Sequence, residues 1–318
     1  KSKEKLSNQN GTNNAVFSKN YTYFINTHSD ANSPNNIVLF DKKGTEIRTI
    51  KNSKNLRKTL ENYSLTKKEF FTFKTDDGVK LNGWMMKPIN LDSNKKYPVL
   101  MYVYGGPGSQ TVTNSWGGHY MWYQMLCQQG YIIVSIDNRG TGGRGSKFKK
   151  CTYKELGKFE TIDQIEGAKY LSKLSYVDED RIGIWGWSYG GYMSSLCILK
   201  GGNYFNTAIA VAPVTNWRFY DTIYTERYMQ TPEENSDGYD LNSPIHHVDS
   251  LTGNYLLIHG SADDNVHVQN TYEMVSALVK ANKQFDLFIY PDKNHSIYGG
   301  KTRLHLFTQI TNFITKNL

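Results

Sequence analysis

Residues 181–192 are Arg-Ile-Gly-Ile-Trp-Gly-Trp-Ser-Tyr-Gly-Gly-Tyr, and this stretch decides the fold of the protein. Its apolar beginning predicts the end of a buried strand, whereas residues 191–200 have the pattern of a helix. Between them, residues 186–190 match Gly-x-Ser-x-Gly, which forms a nucleophile elbow when a strand precedes it and a helix follows. The glycines are needed because a Cβ in this cramped turn would collide with the neighbouring strand or helix. We therefore predict that Ser188 is a nucleophile at a helix N-terminus, where developing negative charge is favoured.

The sequence on either side of this stretch alternates between predicted strands and predicted helices. The strands are apolar runs, typical of strands covered on both faces, and are predicted at 97–104, 131–136, 181–186, 207–211, 255–259 and 285–290. Helical patterns are found at 120–128, 161–174, 188–200, 268–280 and 302–316. A hairpin is predicted around Asp76-Asp-Gly, just before the first of these strands. Such alternation predicts an α/β fold, with a mostly parallel sheet flanked by helices.

The beginning of the chain differs in character from the rest. Runs of β-forming residues at 15–18, 21–26 and 36–41 are separated by Asn, Ser, Gly and Pro, which predicts an antiparallel sheet. Three strands are too few for a stable all-β domain, so we expect the tail of a larger one. Residues 56–65 predict a short linking helix. We therefore place a domain boundary between residues 64 and 65.

Composition excludes several classes of protein. The 318 residues carry a formal net charge of +8, but the lysines are scattered and form no dense basic run typical of nucleic-acid binding. No run of about 18 apolar residues is present, so no membrane span is predicted. The three cysteines lack the spacing of a metal site, and Cys197 is predicted to be a core residue. The opening Lys-Ser-Lys-Glu-Lys resembles a cut inside a longer protein, so the lack of a signal peptide says nothing about export.

A serine nucleophile needs a base and an acid that orients the base. In α/β-hydrolases these residues follow the serine in the order Asp or Glu, then His. Two loops after predicted strands supply them: one offers Asp263 or Asp264, and the other offers His295. His259 ends a strand and is predicted to be structural. The remaining competitors for the base are His246, His247 and His267.

The same chemistry needs an oxyanion hole. One donor is normally the backbone N–H of the residue after the nucleophile, which is Tyr189 here. The loop Val103-Tyr-Gly-Gly-Pro-Gly108 follows an early strand and is predicted to supply the other. In that loop, Tyr104 can offer a phenolic hydroxyl.

Six motifs in order resemble the prolyl oligopeptidase family, and most closely its dipeptidyl peptidase IV branch. They are Tyr-Gly-Gly-Pro, Asp-Asn-Arg-Gly, Gly-Trp-Ser-Tyr-Gly-Gly-Tyr, Tyr-Thr-Glu-Arg-Tyr-Met, Asp-Asp-Asn-Val-His and a terminal Asn-His. The resemblance runs continuously from residue 97 to residue 318. It implies an α/β-hydrolase peptidase domain at 65–318, capped in the whole protein by a β-propeller. Residues 1–64 then resemble the last propeller strands with the linking helix.

The resemblance also implies roles for individual residues. Ser188 corresponds to the nucleophile, Asp263 to the orienting acid, His295 to the base and Tyr104 to the oxyanion tyrosine. Asn265 corresponds to the amide that holds the substrate carbonyl before the proline. The other residues implied in substrate binding, mainly as aromatic and apolar walls of a proline pocket, are Trp187, Tyr189, Val214, Trp217, Tyr220, Tyr224, Val266 and Arg227. Such walls suit a flat, apolar proline ring.

The resulting prediction is a serine exopeptidase that releases N-terminal dipeptides after a penultimate proline or alanine. The family's glutamate pair that binds the substrate amine belongs to the propeller, and Glu233-Glu234 lies in the wrong segment to replace it. A tripeptidyl peptidase of the same branch is therefore the alternative, followed by an esterase or an inactive binding homologue. Neither a metal nor an organic cofactor is implied. The resemblance predicts a periplasmic, extracellular or cell-surface location and a homodimer for the full-length protein.

Overall fold

A computed structural model describes residues 3–318 and divides the chain into two compact units. The first unit consists of the segment that ends at Glu69, together with Met86–Asn90 and Thr113–Gln129. The second unit consists of Phe70–Met85, Leu91–Val112 and Gly130–Leu318. All the residues predicted for catalysis and substrate binding lie in the second unit.

The first unit contains a four-stranded antiparallel sheet. Its strands follow one another in the order β1 (Thr12–Phe17), β2 (Tyr23–Asp30), β3 (Ser33–Asp41) and β4 (Glu46–Lys51). Sequence analysis missed β4, because all of its residues are exposed and it therefore lacks the apolar signal of a covered strand. The linking helix α1 (Lys54–Leu60) is shorter than predicted, and α2 (Tyr120–Gln128) has the predicted bounds. That this sheet is the end of a β-propeller stays a prediction.

The second unit is built on an eight-stranded sheet. Its strands are β5 (Glu69–Lys74), β6 (Lys80–Met86), β7 (Tyr97–Val103), β8 (Ile132–Asp137), β9 (Val177–Trp187), β10 (Thr207–Val211), β11 (Asn254–Gly260) and β12 (Asp286–Tyr290). They lie in the order β12-β11-β10-β9-β7-β8-β6-β5. The run from β12 to β8 is parallel throughout, as the apolar runs predicted. Strand β9 begins four residues earlier than predicted. Sequence analysis missed this start because it includes exposed acidic residues and therefore lacks an apolar run.

Helices accompany the sheet along the chain. They are α3 (Ser146–Lys150), α4 (Lys158–Ser172), α5 (Tyr189–Lys200), α6 (Thr222–Met229), α7 (Ser236–Leu241), α8 (Gln269–Lys280) and α9 (Thr302–Asn317). Short 3-10 helices lie at Trp217–Phe219, Pro244–His246 and Val248–Ser250. Sequence analysis missed α3, α6 and α7, which are too short and too polar to show a helical apolar period.

Helix α5 is the most deeply buried helix of the second unit. Every residue of α5 except Lys200 is buried, so the helix is enclosed on all sides. All residues of β8 and β10 are buried as well. Because α5 starts directly at the elbow, the core of the second unit fixes the position of that turn.

Four neighbouring parallel strands end at nearly the same level. Val211 of β10 pairs with Trp187 of β9 and with Ile258 of β11, and Gly260 of β11 pairs with Tyr290 of β12. The loops that follow β9, β10, β11 and β12 therefore leave the same edge of the sheet. Open α/β sheets bind ligands at this carboxyl edge, and the predicted site residues lie there.

Candidate active site

Ser188 occupies a strained turn between β9 and α5. Its φ is 62° and its ψ is −118°, a conformation that residues with a Cβ rarely adopt. The backbone N–H of Ser188 donates to the Val211 carbonyl at 2.8 Å, which anchors the turn to β10. A Cβ on Gly186 would lie 2.4 Å from the backbone of Gly190, and one on Gly190 would lie 2.2 Å from the carbonyl oxygen of Val103. The crowding predicted for the elbow glycines is therefore present.

Asp263 and His295 meet at the ends of β11 and β12. The Nδ1–H of His295 donates to Oδ2 of Asp263 at 2.7 Å. Oδ1 of Asp263 accepts the backbone N–H groups of Asn265 and Val266, each at 2.9 Å. The side chain of Asp263 is buried, whereas Asp264 is exposed, so the structure distinguishes the two candidates.

His259 also donates to Asp263, from Nε2 to Oδ2 at 3.1 Å. Burial acts to raise the pKa of Asp263, but the hydrogen bonds from His259 and His295 outweigh it and hold that pKa below its ordinary value. Asp263 is therefore ionised at neutral pH and able to orient His295. Two of the competing histidines have other partners: His246 is near Asp240 and His247 bonds the carbonyl of Leu241. The third competitor, His267, is exposed.

Trp187 links the elbow to the loop that carries His295. Its indole N–H donates to the backbone carbonyl of His295 at 3.0 Å, and the guanidinium of Arg303 lies over its ring at 4.8 Å. Sequence analysis assigned Trp187 to substrate binding, and the structure gives it this contact with the His295 backbone. No hydrogen bond joins the side chains of Ser188 and His295 within residues 3–318. Such contacts often tighten only when substrate binds.

The loop after β7 brings Tyr104 to the site. Gly105 has a φ of 78°, and its carbonyl accepts the side-chain N–H of Asn138 at 3.0 Å. A Cβ on Gly106 would lie 2.9 Å from the ring of Tyr104 and 3.1 Å from the ring of Tyr189, so only glycine allows this approach. The two tyrosine ring centroids are 6.0 Å apart. Burial raises the pKa of Tyr104, which keeps its hydroxyl protonated and able to donate.

Aromatic side chains form a continuous wall beside the elbow. Trp217 is 1% exposed, and its ring centroid lies 5.6 Å from that of Tyr189, 5.8 Å from that of Tyr220 and 5.9 Å from that of Tyr224. Val214 and Val266 are buried as well, and their place in a pocket lining stays a prediction. Sequence analysis predicted all of these as substrate-binding residues, and the structure groups the aromatic ones together.

Asn265 lies at the edge of the aromatic wall. The hydroxyl of Tyr220 donates to Oδ1 of Asn265 at 2.8 Å, which fixes the orientation of the amide. Its N–H groups then remain available to donate to a substrate carbonyl. Arg227, which the resemblance placed near the wall, lies exposed on α6.

Sequence analysis missed Glu160, a buried acid behind Tyr189. The hydroxyl of Tyr189 donates to Oε1 of Glu160 at 2.7 Å, and Glu160 is 0% exposed. Burial raises the pKa of Glu160 to about 8, although the Tyr189 hydrogen bond opposes this shift. No sequence signal could have found Glu160, because it is one of several polar residues on a helix with almost no apolar face.

Two kinds of feature are absent from the described residues. Across residues 3–318, no helix combines the length and the apolar character needed to cross a membrane. The same residues contain no group of three or more His, Cys, Asp or Glu side chains placed to hold a metal ion.

Comparison with known proteins identifies the family of this chain. The profile of the prolyl oligopeptidase family matches residues 119–318. The probable dipeptidyl-aminopeptidase B of Paracoccidioides brasiliensis is 42% identical over 286 residues, which cover 89% of this chain and 30% of that protein. Dipeptidyl peptidase 8 of Mus musculus is 37% identical over 324 residues, covering 99% of this chain and 36% of that protein. The crystal structure of Porphyromonas gingivalis dipeptidyl peptidase 4 is similar with a TM-score of 0.97 and 49% identity, covering 99% of this chain and 45% of that chain.

These similarities agree with the motifs found in the sequence and confirm the α/β-hydrolase fold. They also show that the chain spans about a third of the length of the curated relatives and less than half of the solved chain.

Proposed function

The chain belongs to the prolyl oligopeptidase family, and from this premise we propose that it is the catalytic part of a serine dipeptidyl peptidase. The substrates are peptides with proline, or less readily alanine, second from the N-terminus. The observation that carries this proposal is the bond between His295 and a buried, ionised Asp263 on loops that leave the same sheet edge as Ser188. Dipeptide release is supported by the names of relatives that are 37–49% identical.

The reaction is acyl transfer from the substrate to water by way of the enzyme. His295 Nε2 takes the proton of Ser188 as Oγ attacks the carbonyl carbon of the scissile bond, and then gives it to the leaving amine. Asp263 holds His295 in the tautomer that carries its proton on Nδ1. The backbone N–H of Tyr189 and the hydroxyl of Tyr104 donate to the oxyanion. Water then attacks the acyl-enzyme through the same steps and releases the dipeptide.

Preference for proline follows from the aromatic wall. The rings of Trp217, Tyr220 and Tyr224 offer flat apolar faces that a proline ring can bury without leaving a polar group unpaired. Asn265, oriented by Tyr220, donates to the carbonyl of the residue before the proline. A smaller alanine side chain fits the same pocket with less contact, so we expect slower turnover of alanine substrates.

Three further properties of the whole protein are part of the proposal. The number of residues released is set by groups that bind the substrate amine and that belong to the propeller. We also propose a homodimer and an exported location, as the family resemblance implies.

The test compares three substrates of the whole protein that contains this chain: an Xaa-Pro anilide, an Xaa-Xaa-Pro anilide and a simple aryl ester. We expect the highest kcat/KM for the Xaa-Pro anilide and loss of all three activities in Ser188→Ala. Mass spectrometry after reaction with a serine-directed phosphonate should place the label on Ser188. Preference for the Xaa-Xaa-Pro anilide would indicate a tripeptidyl peptidase, and hydrolysis of the ester alone would indicate an esterase.

A further inference from the structure

His259 is buried directly behind the acid of the proposed triad. It ends β11, it is 0% exposed, and both of its ring nitrogens have partners. Nδ1 lies 2.7 Å from Oγ1 of Thr271, while Nε2 lies 3.1 Å from Oδ2 of Asp263 and 2.8 Å from the carbonyl oxygen of Val266. Strand β11 and helix α8 are formed by their own backbone hydrogen bonds, so neither element depends on these side-chain contacts.

The partners of His259 determine where its proton lies. The carbonyl of Val266 can only accept a hydrogen bond, and so can the ionised carboxylate of Asp263. Nε2 must therefore carry the proton, which it shares between these two acceptors. In the neutral imidazole Nδ1 then accepts, and the hydroxyl of Thr271 donates to it. Thr271 thus selects the tautomer of His259, as second partners do for histidines bound to metals.

We propose that His259 is a positioning residue for the Asp263–His295 pair, an inference that rests on the proposed function. His259 and His295 donate to the same carboxylate oxygen, Oδ2, and approach it from two sides. The backbone N–H groups of Asn265 and Val266 hold the other oxygen, Oδ1. His259 is therefore the donor that restrains Oδ2 besides His295 itself. With His259 in place, Oδ2 stays where Nδ1 of His295 can reach it.

The same N–H also connects the acid to the substrate pocket. Its second acceptor is the backbone of Val266, a fully buried residue that the family resemblance assigns to the proline pocket. Val266 in turn donates its own N–H to Oδ1 of Asp263 at 2.9 Å. Asp263, Val266 and His259 therefore form a closed ring of hydrogen bonds, and the N–H of His259 makes two of the bonds in that ring.

The test uses a matched pair of substitutions in the whole protein. His259→Leu removes the donor at similar volume, whereas His259→Gln keeps an N–H at the place of Nε2. We expect His259→Leu to lower kcat for an Xaa-Pro anilide by about 10- to 100-fold, the range seen when partners that orient metal-bound histidines are removed. KM should change little, and His259→Gln should retain most of kcat. Equal kcat in the two variants and the wild type would overturn the inference.

A second pair of variants, at Thr271, tests the inference even if His259→Leu does not fold. Thr271→Val removes the donor that selects the tautomer, and Thr271→Ser keeps it. We expect a lower kcat for Thr271→Val and nearly wild-type kcat for Thr271→Ser, with similar thermal unfolding of the two proteins. An unchanged kcat in Thr271→Val would contradict the inference even if His259→Leu does not fold.

Nuclear magnetic resonance separates this inference from the proposed function, because it needs no turnover. In protein labelled with ¹⁵N-histidine, His259 should carry a proton on Nε2 and none on Nδ1. The downfield Nδ1 proton of His295 should be present in the wild type and in His259→Gln, and should be lost or displaced in His259→Leu. If the wild type lacks Ser188-dependent peptidase activity but shows these signals, the proposed function fails and the positioning role stands. A proton on Nδ1 of His259, or a His295 signal unchanged by His259→Leu, would overturn the positioning role.

Discussion

Ser188 and Asp263 are each held in place by several neighbouring groups. The φ of 62° at Ser188 is maintained by its N–H bond to Val211. Close backbone packing at Gly186 and Gly190, where no Cβ would fit, also maintains it. A strained residue persists only where its surroundings determine it completely, and such residues cluster at active sites. Asp263 is similarly over-determined, with both oxygens held by donors on either side.

Asp263 and Asp264 are adjacent, yet they should respond very differently to the same substitution. We expect Asp263→Asn to lower kcat by about 10³–10⁴, because the amide no longer stabilises the correct tautomer of His295. Asp264→Asn should leave kcat within a few-fold of the wild type, since Asp264 is exposed. Steady-state kinetics on an Xaa-Pro anilide compare the two variants. The opposite ranking would move the orienting role to Asp264.

Tyr104→Phe removes one hydroxyl and almost no volume, so it isolates the oxyanion donor. We expect kcat to fall by about 10²–10³ with a modest change in KM, as for the loss of one oxyanion-hole donor. Tyr153→Phe is the control, because Tyr153 is 49% exposed. If only KM changed in Tyr104→Phe, Tyr104 would be a substrate-binding residue instead.

At the scale of elements, two helices are joined beneath the substrate pocket. Glu160 in the first turn of α4 accepts a hydrogen bond from the hydroxyl of Tyr189 in the first turn of α5. Tyr189 also contributes the proposed oxyanion N–H and part of the aromatic wall. The bond between α4 and α5 therefore holds both parts of the site at once.

Glu160 should make stability depend on pH. Burial raises its pKa in the folded protein from an ordinary 4.5 to about 8, so the folded state keeps a proton that the unfolded chain releases. The free energy of unfolding should therefore fall as pH rises from about 4.5 to about 8, by up to roughly 1.4 kcal/mol per pH unit, and level off above.

Glu160→Gln keeps the shape of the side chain and cannot ionise, so it should remove this dependence. Urea titrations of the wild type and the variant at several pH values measure the difference in free energy of unfolding. The charged and titratable neighbours, Asp163, Tyr189, Tyr192 and Tyr224, are the same in both proteins. Glu226→Gln on the exposed face of α6 serves as control. A difference between wild type and Glu160→Gln that did not vary with pH would contradict the assignment.

For the whole molecule, we propose that bond making and the selection of substrate length belong to different parts of the protein. The proposed triad, the oxyanion donors and the aromatic wall all lie in the second unit. The family resemblance assigns binding of the substrate amine to the propeller. An ion pair with that amine positions the substrate, and positioning supplies much of the advantage of an enzyme.

A blocked substrate tests this division. In the whole protein, acetylation of the amino terminus of an Xaa-Pro anilide should greatly lower kcat/KM. In the chain of 318 residues expressed alone, the free and acetylated anilides should react at similar, slow rates. Labelling of Ser188 by a phosphonate in both proteins shows that each has a formed site. Strong preference for the free amine in the isolated chain would place the amine-binding groups within these residues.

Local sequence patterns are sufficient to predict the α/β architecture, the elbow at Ser188 and the loop that carries His295. These features depend on local pattern, since apolar runs, helical periods and glycine spacing are set by neighbouring residues along the chain. The motif resemblance chose Asp263 over Asp264, and burial in the structure agrees with that choice.

Contacts between polar groups that are distant in sequence become visible only in the folded chain. Glu160 and Tyr189 are 29 residues apart, and His295 and Asp263 are 32 apart. Their contacts depend on strand order and on burial, which no local pattern contains. His259 was predicted to be structural because a histidine at a strand end has no signal of its own. The fold turned it toward Asp263, in a place where a buried imidazole is stable only if both nitrogens have partners.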